Sequence, residues 1–259
     1  MNSNVIPRPG DDRAYQQREA EFEALLRELA EKELELATLE NELAAFEKKY
    51  ARRVGVLLAE LDMLDQEIAA ELYRLHPQES YRRGFEEARW RARSSHQAVD
   101  EEKRSEAKQP FIPSEELKNL YRRVAKAVHP DLATDENERA YRTRLMARAN
   151  AAYREGDMEA LEQILDEWEH RDETSFLAAE GPDLLGQLEQ KIHQVRLRLA
   201  EIARKIAELK RSERHQLMTR VQRAEQEGRD LLGEMAEDLR GQIRAATELL
   251  SSLKAQEKG

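Results

Sequence analysis

The chain has 259 residues and a net charge of −10, and 37% of its residues are charged while only 5% are aromatic. Glu, Leu, Ala and Arg dominate, which is typical of long helices and coiled coils and argues against one large globular core. The absence of cysteine excludes disulfides, thiolate-ligated zinc and cysteine nucleophiles. The acidic surface should repel nucleic acid and anionic membranes. Because no segment resembles a signal peptide or a membrane span, we expect an all-α protein of the cytoplasm.

Residues 1–14 should form a flexible tail, and residues 15–75 one long amphipathic helix. Its first apolar column has a seven-residue period and contains Phe22, Leu29, Leu36, Leu43, Tyr50, Leu57 and Leu64. A second column contains Leu25, Leu39 and Phe46, then shifts by one residue to Val54, Leu61, Ile68 and Leu75. Such a shift changes a supercoil locally without ending the helix. A helix with one apolar seam needs a partner helix to bury it, which predicts a coiled coil.

The boundaries of this N-terminal region follow from breaker residues. His76-Pro77 should end the long helix, because a residue before proline is disfavoured in the helical conformation. A short helix should complete the region at residues 15–91, and polar segments at residues 92–112 and 172–182 are predicted to be linkers. The candidate apolar contacts of the short helix are Tyr81, Phe85 and Trp90.

Residues 183–259 are predicted to form a second coiled-coil region. One heptad column contains Leu188, Val195, Ile202 and Leu209, and the other contains Ile192, Leu199 and Ile206. Gly228 either turns this region into a hairpin or is a weak point within one helix, and the pattern is compatible with both.

The two coils carry opposite charges. Residues 19–47 contain ten acidic and two basic residues, a net charge of −8, whereas residues 191–223 contain ten basic and three acidic residues, a net charge of +7. Opposite charges at flanking positions let coiled-coil helices select each other, so we expect the two coils to pair within one chain or across a homodimer. A competing interpretation is that residues 191–223 bind a polyanion, but no aromatic side chain is present there for base stacking. We therefore expect no nucleic-acid partner.

Between the coils, residues 113–171 are predicted to be a compact helical unit. Ser114 is suited to cap the first helix, and Glu115 and Glu116 in its first turn suit the helix dipole. The helix has an apolar stripe of Leu117, Leu120, Val124 and Val128, with Tyr121 and Ala125 beside it. Four cations point mostly away from that stripe: Lys118, Arg122, Arg123 and Lys126.

Two more helices should complete this unit. The second is expected over residues 136–154, where Gly156 should stop it, and Asp157 should cap the third. Two helices joined by a short loop form an antiparallel hairpin, and the third helix would cover its open side. The candidate core positions of these two helices are Tyr141, Leu145, Met146, Ala149, Ala152, Tyr153, Leu161, Ile164, Leu165 and Trp168.

His129-Pro130-Asp131 follows the basic helix directly. The helix should stop near Val128, because His129 precedes a proline, and Asp131 then presents a carboxylate on a stiff turn. A charged tip beside a row of cations suits docking onto a protein better than chemistry on a small molecule. Burial of Asp131, or cations on opposite sides of the hairpin, would leave only an architectural role.

These residues resemble a known family. The block from Glu116 to Ala125, followed by His129-Pro130-Asp131, is similar to helix II and the signature loop of a J domain, the module of DnaJ-type co-chaperones. Asn150-Ala151-Ala152-Tyr153 is similar to the Asn-x-Ala-Tyr near the end of that family's helix III. The resemblance covers less than a fifth of the chain, and the three motifs together are more specific than the triplet alone.

The resemblance implies a partner, a DnaK-type heat-shock ATPase. In that family the helix II cations face an acidic surface of the ATPase, and the loop stimulates ATP hydrolysis. By position, Lys118, Arg122, Arg123 and Lys126 would bind the partner, and His129, Pro130 and Asp131 would trigger hydrolysis. The structural core would contain Leu117, Tyr121, Val124, Met146 and Tyr153.

We therefore expect a co-chaperone rather than an enzyme. The coils would serve oligomerisation or recruit an unidentified client protein. The six histidines are scattered without metal-ligand spacing, and no phosphate-binding glycine loop occurs, so we expect neither metal nor cofactor. The alternative is a coiled-coil structural scaffold with a degenerate, non-stimulating J-like module, in which His129-Pro130 is only a helix stop, as at His76-Pro77.

Overall fold

A computed structural model describes residues 9–104, 113–133, 135–171 and 184–256. The fold is all-α: 92% of it is helical, and no strand occurs in these ranges. None of the helices in these ranges combines the length and apolarity needed to cross a membrane. The helices are α1 (Pro9–Tyr50), α2 (Val56–Leu75), α3 (Glu79–Arg104), α4 (Glu115–Val128), α5 (Glu136–Glu155), α6 (Met158–Glu169), α7 (Leu184–Arg211), α8 (Glu213–Gln226) and α9 (Leu231–Gln256).

The chain divides into two compact units. Unit 1 contains Met1–Asn41 and Pro110–Arg211, and unit 2 contains Glu42–Gln109 and Ser212–Gly259. The predicted linker at residues 172–182 lies outside the described residues. Each unit combines a stretch of the N-terminal helical region with a stretch of the C-terminal one.

The long N-terminal helix starts earlier than predicted and contains one irregular turn. It begins at Pro9, so the predicted tail of residues 1–14 is too long. A π-helical turn at Ala51–Gly55 joins α1 to α2. This turn falls where the second apolar column shifts by one residue, and a π turn accommodates one additional residue. The helix ends at Leu75 with His76 as its C-cap, as His76-Pro77 predicts.

The third helix extends through part of the predicted linker at residues 92–112. Helix α3 continues to Arg104, whereas residues 105–112 lie outside the described residues. It packs on α2 and buries Ala88 and Ala92, so a small apolar stripe is enough to hold it. Most of the remaining positions are polar or charged, and the candidate apolar contact Trp90 is 70% exposed, so composition alone could not distinguish this helical surface from a linker.

In unit 1, helices α4, α5 and α6 pack around one apolar core, and this three-helix unit is here called the module (residues 113–171). Three small or aliphatic residues of α1, Ala30, Leu34 and Ala37, belong to the same core. They lie outside the two heptad columns, so α1 buries a second stripe that the single predicted seam did not include. The module therefore shares its core with α1.

Ion pairs also join α1 to α7 in unit 1, within one chain. The two helices run parallel, because the residue numbers of the α7 partners generally increase with those of the α1 residues. The pairs are Arg18–Glu189, Glu21–Arg196, Glu33–Arg198, Glu40–Lys205 and Glu35–Lys210. Most of them join an acidic residue of α1 to a basic residue of α7, which matches the charge asymmetry of the two coils.

In unit 2, α2 packs against α3 and α9, with Ile68, Ala246, Leu250 and Leu253 in one core. Gly228 has φ of 76° and separates α8 from α9, a conformation that glycine adopts at little steric cost. The inter-helix pairs on both sides of this glycine run in one direction, so Gly228 interrupts the coil without reversing it. These pairs are Glu47–Arg214, Lys49–Glu225, Arg53–Asp230 and Glu67–Lys254.

Candidate protein-docking site

Local signals set both ends of the basic helix α4. The Leu117 backbone N–H donates a hydrogen bond to Ser114 Oγ at 3.2 Å, so Ser114 is the predicted N-cap. The helix ends at Val128, because His129 takes an extended conformation before Pro130, with φ of −61° and ψ of 130°. A single 3₁₀ turn at Pro130–Leu132 follows. The triplet is therefore a stiff turn at the C-terminus of a basic helix.

The two sequence blocks that carry the resemblance meet in the module core. Tyr121 Oη donates a hydrogen bond to Asn150 Oδ1 at 2.6 Å, and the ring centroids of Tyr121 and Tyr153 lie 4.7 Å apart. Burial raises the pKa of Tyr121, which keeps its hydroxyl protonated as a donor. The other predicted core residues are also buried: Leu117, Val124 and Met146.

His129 is buried rather than exposed, with only 1% of its surface accessible. The Asp131 backbone N–H donates to His129 Nδ1 at 3.2 Å. Because Nδ1 is an acceptor in that contact, the ring proton lies on Nε2, which donates to Glu33 Oε1 at 3.2 Å. Helix α1 thus covers the imidazole, so His129 contributes no exposed side chain to the turn.

Glu33 is a buried carboxylate held between two donors. It is 4% exposed, and Arg198 Nη2 on α7 donates to its Oε1 at 2.9 Å. Burial acts to raise the pKa of Glu33, but the hydrogen bond from His129 and the positive charge of Arg198 outweigh burial and hold that pKa below its usual value. At neutral pH a negative charge therefore lies beside the His129 ring.

Arg142 on α5 binds the backbone of the turn. Its Nη1 donates to the carbonyl oxygens of Ala127 at 2.9 Å and His129 at 3.3 Å, which satisfies groups at the end of α4 that lack helical partners. Its Nε donates to Glu138 at 2.9 Å, and its guanidinium lies 4.2 Å from the Trp168 ring centroid. Burial lowers the pKa of Arg142, and the Glu138 carboxylate opposes that effect.

Two of the four predicted docking cations contact carboxylates of α1. Arg122 Nε lies 2.7 Å from Glu31 Oε1, and Lys126 Nζ lies 2.7 Å from Glu23 Oε2. The Arg122 Nε–H is buried and makes no directed hydrogen bond, so its contact with Glu31 is mainly electrostatic. These are inter-helix contacts within unit 1, and they place acidic side chains on the face that the resemblance assigns to a partner.

The remaining predicted docking residues differ in accessibility, and among them only Arg123 is classed as exposed. Lys118 pairs with Glu115 of its own helix at 2.7 Å, and Arg123 is exposed. Pro130 is half-buried, and the Asp131 side chain is 27% exposed. The carboxylate of Asp131 therefore remains partly accessible although the neighbouring imidazole does not.

Sequence reasoning missed three residues of this site: Glu33, Arg142 and Arg198. Arg142 had a signal, because positions 138, 142, 145 and 149 follow helical spacing and would place it on the buried face of α5. Glu33 and Arg198 had none, since their contacts join helices that are far apart in the chain. The described residues contain no group of three His, Cys, Asp or Glu side chains that could hold a metal ion.

Comparison with protein-family models, with curated proteins and with solved structures finds no match for this chain.

The lowered pKa of Glu33 predicts a pH-dependent contribution to stability. A carboxylate whose folded-state pKa lies below its unfolded-state value of 4.5 stabilises the fold above that value and loses this effect as the pH falls through the folded-state pKa. Glu33→Gln should lower the free energy of unfolding by about 2 kcal/mol at neutral pH. Urea unfolding across a pH series should show the difference in unfolding free energy between wild type and Glu33→Gln shrinking in acid. A difference that stays constant would contradict a lowered pKa of Glu33.

Proposed function

We propose that this protein is a co-chaperone whose J-like module docks on a DnaK-type heat-shock ATPase and stimulates its ATP hydrolysis. One observation carries the proposal: the blocks around Tyr121 and Asn150 hydrogen-bond to each other in a helical unit whose basic helix ends in a stiff His129-Pro130-Asp131 turn. The coils would serve oligomerisation or recruitment of a client protein. The proposed setting is the cytoplasm.

The chemistry of the turn supports a docking role. Asp131 is partly exposed, and its backbone N–H is fixed by His129 Nδ1, so its carboxylate is preorganised to accept a charge-assisted hydrogen bond from a partner cation. Arg123 is exposed on α4, the helix that precedes the turn, and can pair with an acidic surface of the partner. A preorganised, partly accessible charge loses little side-chain entropy when it binds.

A second candidate function is a coiled-coil scaffold with a non-stimulating J-like module. The burial of His129 against Glu33 favours it, because a buried histidine in a shared core fits an architectural role. The module core also includes Ala30 and Leu34 of α1. In this case the module would hold α1 and α7 together within unit 1.

Single-turnover ATP hydrolysis by a purified DnaK-type ATPase separates the two functions. The full chain is added as wild type and as Glu23→Lys/Glu31→Lys, in which two docking cations lose their carboxylates. Stimulation by either chain that is lost when Asp131→Asn is added to it would support the co-chaperone function. Asp131 is a sharper probe than His129, because a buried His129 variant also perturbs the fold. If neither chain stimulates hydrolysis, the scaffold function remains.

A further inference from the structure

Three carboxylates of α1 lie against residues that the resemblance assigns to partner binding. Glu23 contacts Lys126, Glu31 contacts Arg122, and Glu33 contacts His129. Each of these contacts joins residues far apart in the chain. An acidic helix of this protein thus lies where an acidic surface of a partner would bind.

Apolar contacts place the same face of α1 on the module. Ala30, Leu34 and Ala37 follow the spacing of one helix face and enter the module core. Beyond them, Thr38 Oγ1 lies within hydrogen-bond distance of Tyr153 Oη, at 2.8 Å. The α1 segment therefore binds as an acidic amphipathic helix, with carboxylates beside an apolar stripe.

We propose that this face of α1, from Glu23 to Thr38, is a resident occupant of the docking surface, and that the ATPase partner binds only by displacing it. The inference rests on the proposed function and adds its regulation. The external partner must present carboxylates that replace Glu23 and Glu31, which are separated by about 12 Å along a helix axis. Occupation by α1 and docking of the partner exclude each other.

The contacts differ in how easily a competitor can replace them. The Glu23–Lys126 and Glu31–Arg122 pairs are partly exposed, and exposed pairs contribute little to stability. The Glu33–His129 contact is almost fully buried and has a second donor, Arg198. A competing acidic surface would therefore replace the outer pairs first, and His129 would become accessible only when α1 leaves the turn.

Charge reversal on α1 tests the proposal without substituting any residue of the module. Glu23→Lys/Glu31→Lys replaces two attractions by two repulsions, which should shift the population with a free docking surface by about tenfold. The matched control is Glu19→Lys/Glu28→Lys, which makes the same change of net charge at exposed positions of the same helix. Single-turnover hydrolysis by a DnaK-type ATPase is measured over a range of chain concentrations.

We expect the reversed chain to reach half-maximal stimulation at an about tenfold lower concentration than wild type or control, consistent with that population shift. Equal stimulation by all three chains would contradict the proposal that α1 occupies the docking surface, but it would leave the proposed function standing. No stimulation by any chain would overturn the proposed function, and the inference with it. These two failures are therefore distinguishable.

Hydrogen exchange gives a readout that does not depend on ATP hydrolysis. Amides of residues 26–38 and of α4 should exchange faster in the reversed chain than in the control, while far-UV circular dichroism stays helical in both. Adding Lys126→Glu and Arg122→Glu to the reversed chain re-forms both pairs with opposite polarity and should restore protection. Unchanged exchange in the reversed chain would show that these pairs do not hold α1 on the docking surface.

Discussion

Replacing Arg142 by alanine is expected to lower the free energy of unfolding by about 3 to 5 kcal/mol. The guanidinium is almost fully buried and is the partner of the buried Glu138 carboxylate and of the Ala127 and His129 carbonyl oxygens. Removing it leaves a buried anion and two carbonyl groups without this donor, and each such loss is costly in a low-dielectric interior. Urea unfolding followed by circular dichroism measures the effect.

Two further variants identify the cause of that loss. Glu138→Ala added to Arg142→Ala removes the buried carboxylate that has lost the Arg142 donor, so the double variant should be more stable than Arg142→Ala alone. Arg139→Ala is the matched control, because Arg139 is exposed on the same helix, and it should change stability by less than about 0.5 kcal/mol. A double variant that is less stable than Arg142→Ala would mean that Glu138 has a stabilising role of its own.

Arg142 also matters for interpreting docking experiments. Its hydrogen bond to the His129 carbonyl holds the backbone of the turn, whereas Glu33 holds the ring of the same residue. A substitution at His129 therefore perturbs both the fold and any docking. Loss of ATPase stimulation in a His129 variant has to be compared with its stability before it is assigned to partner binding.

The ends of the module helices could be predicted because their signals are local. Ser114, Asp157 and Gly156 act within one or two turns, and Gly156 adopts a φ of 71° that suits a glycine at a helix end. His129-Pro130 ends α4 for the same kind of reason. These neighbours set both ends of α4, the end of α5 and the start of α6.

The packing of α1 on the module could not be predicted, because its contacts are long-range. The sequence shows a heptad seam in α1, but Ala30, Leu34 and Ala37 form a second stripe whose partner cannot be read from spacing. An acidic residue at position 33 likewise looks like part of a solvated face. Only the fold shows that His129 and Arg198 converge on it.

Replacing Leu161 by alanine is the second variant with a large expected effect, a loss of about 3 kcal/mol in the free energy of unfolding. Leu161 on α6 is fully buried in the core that includes Ala30 and Leu34 of α1. The partly buried Leu165 of the same helix is the matched control, and Leu165→Ala should cost less.

Because the core is shared, Leu161→Ala should weaken the hold on α1 as well as the module. Hydrogen exchange should show amides of residues 26–37 losing protection together with those of α4, since the core that Leu161 fills contains residues of both. If α1 kept its protection while α4 lost it, the shared core would not be what holds α1. In that case the ion pairs with α7, such as Glu40–Lys205, would be sufficient to hold α1 in place.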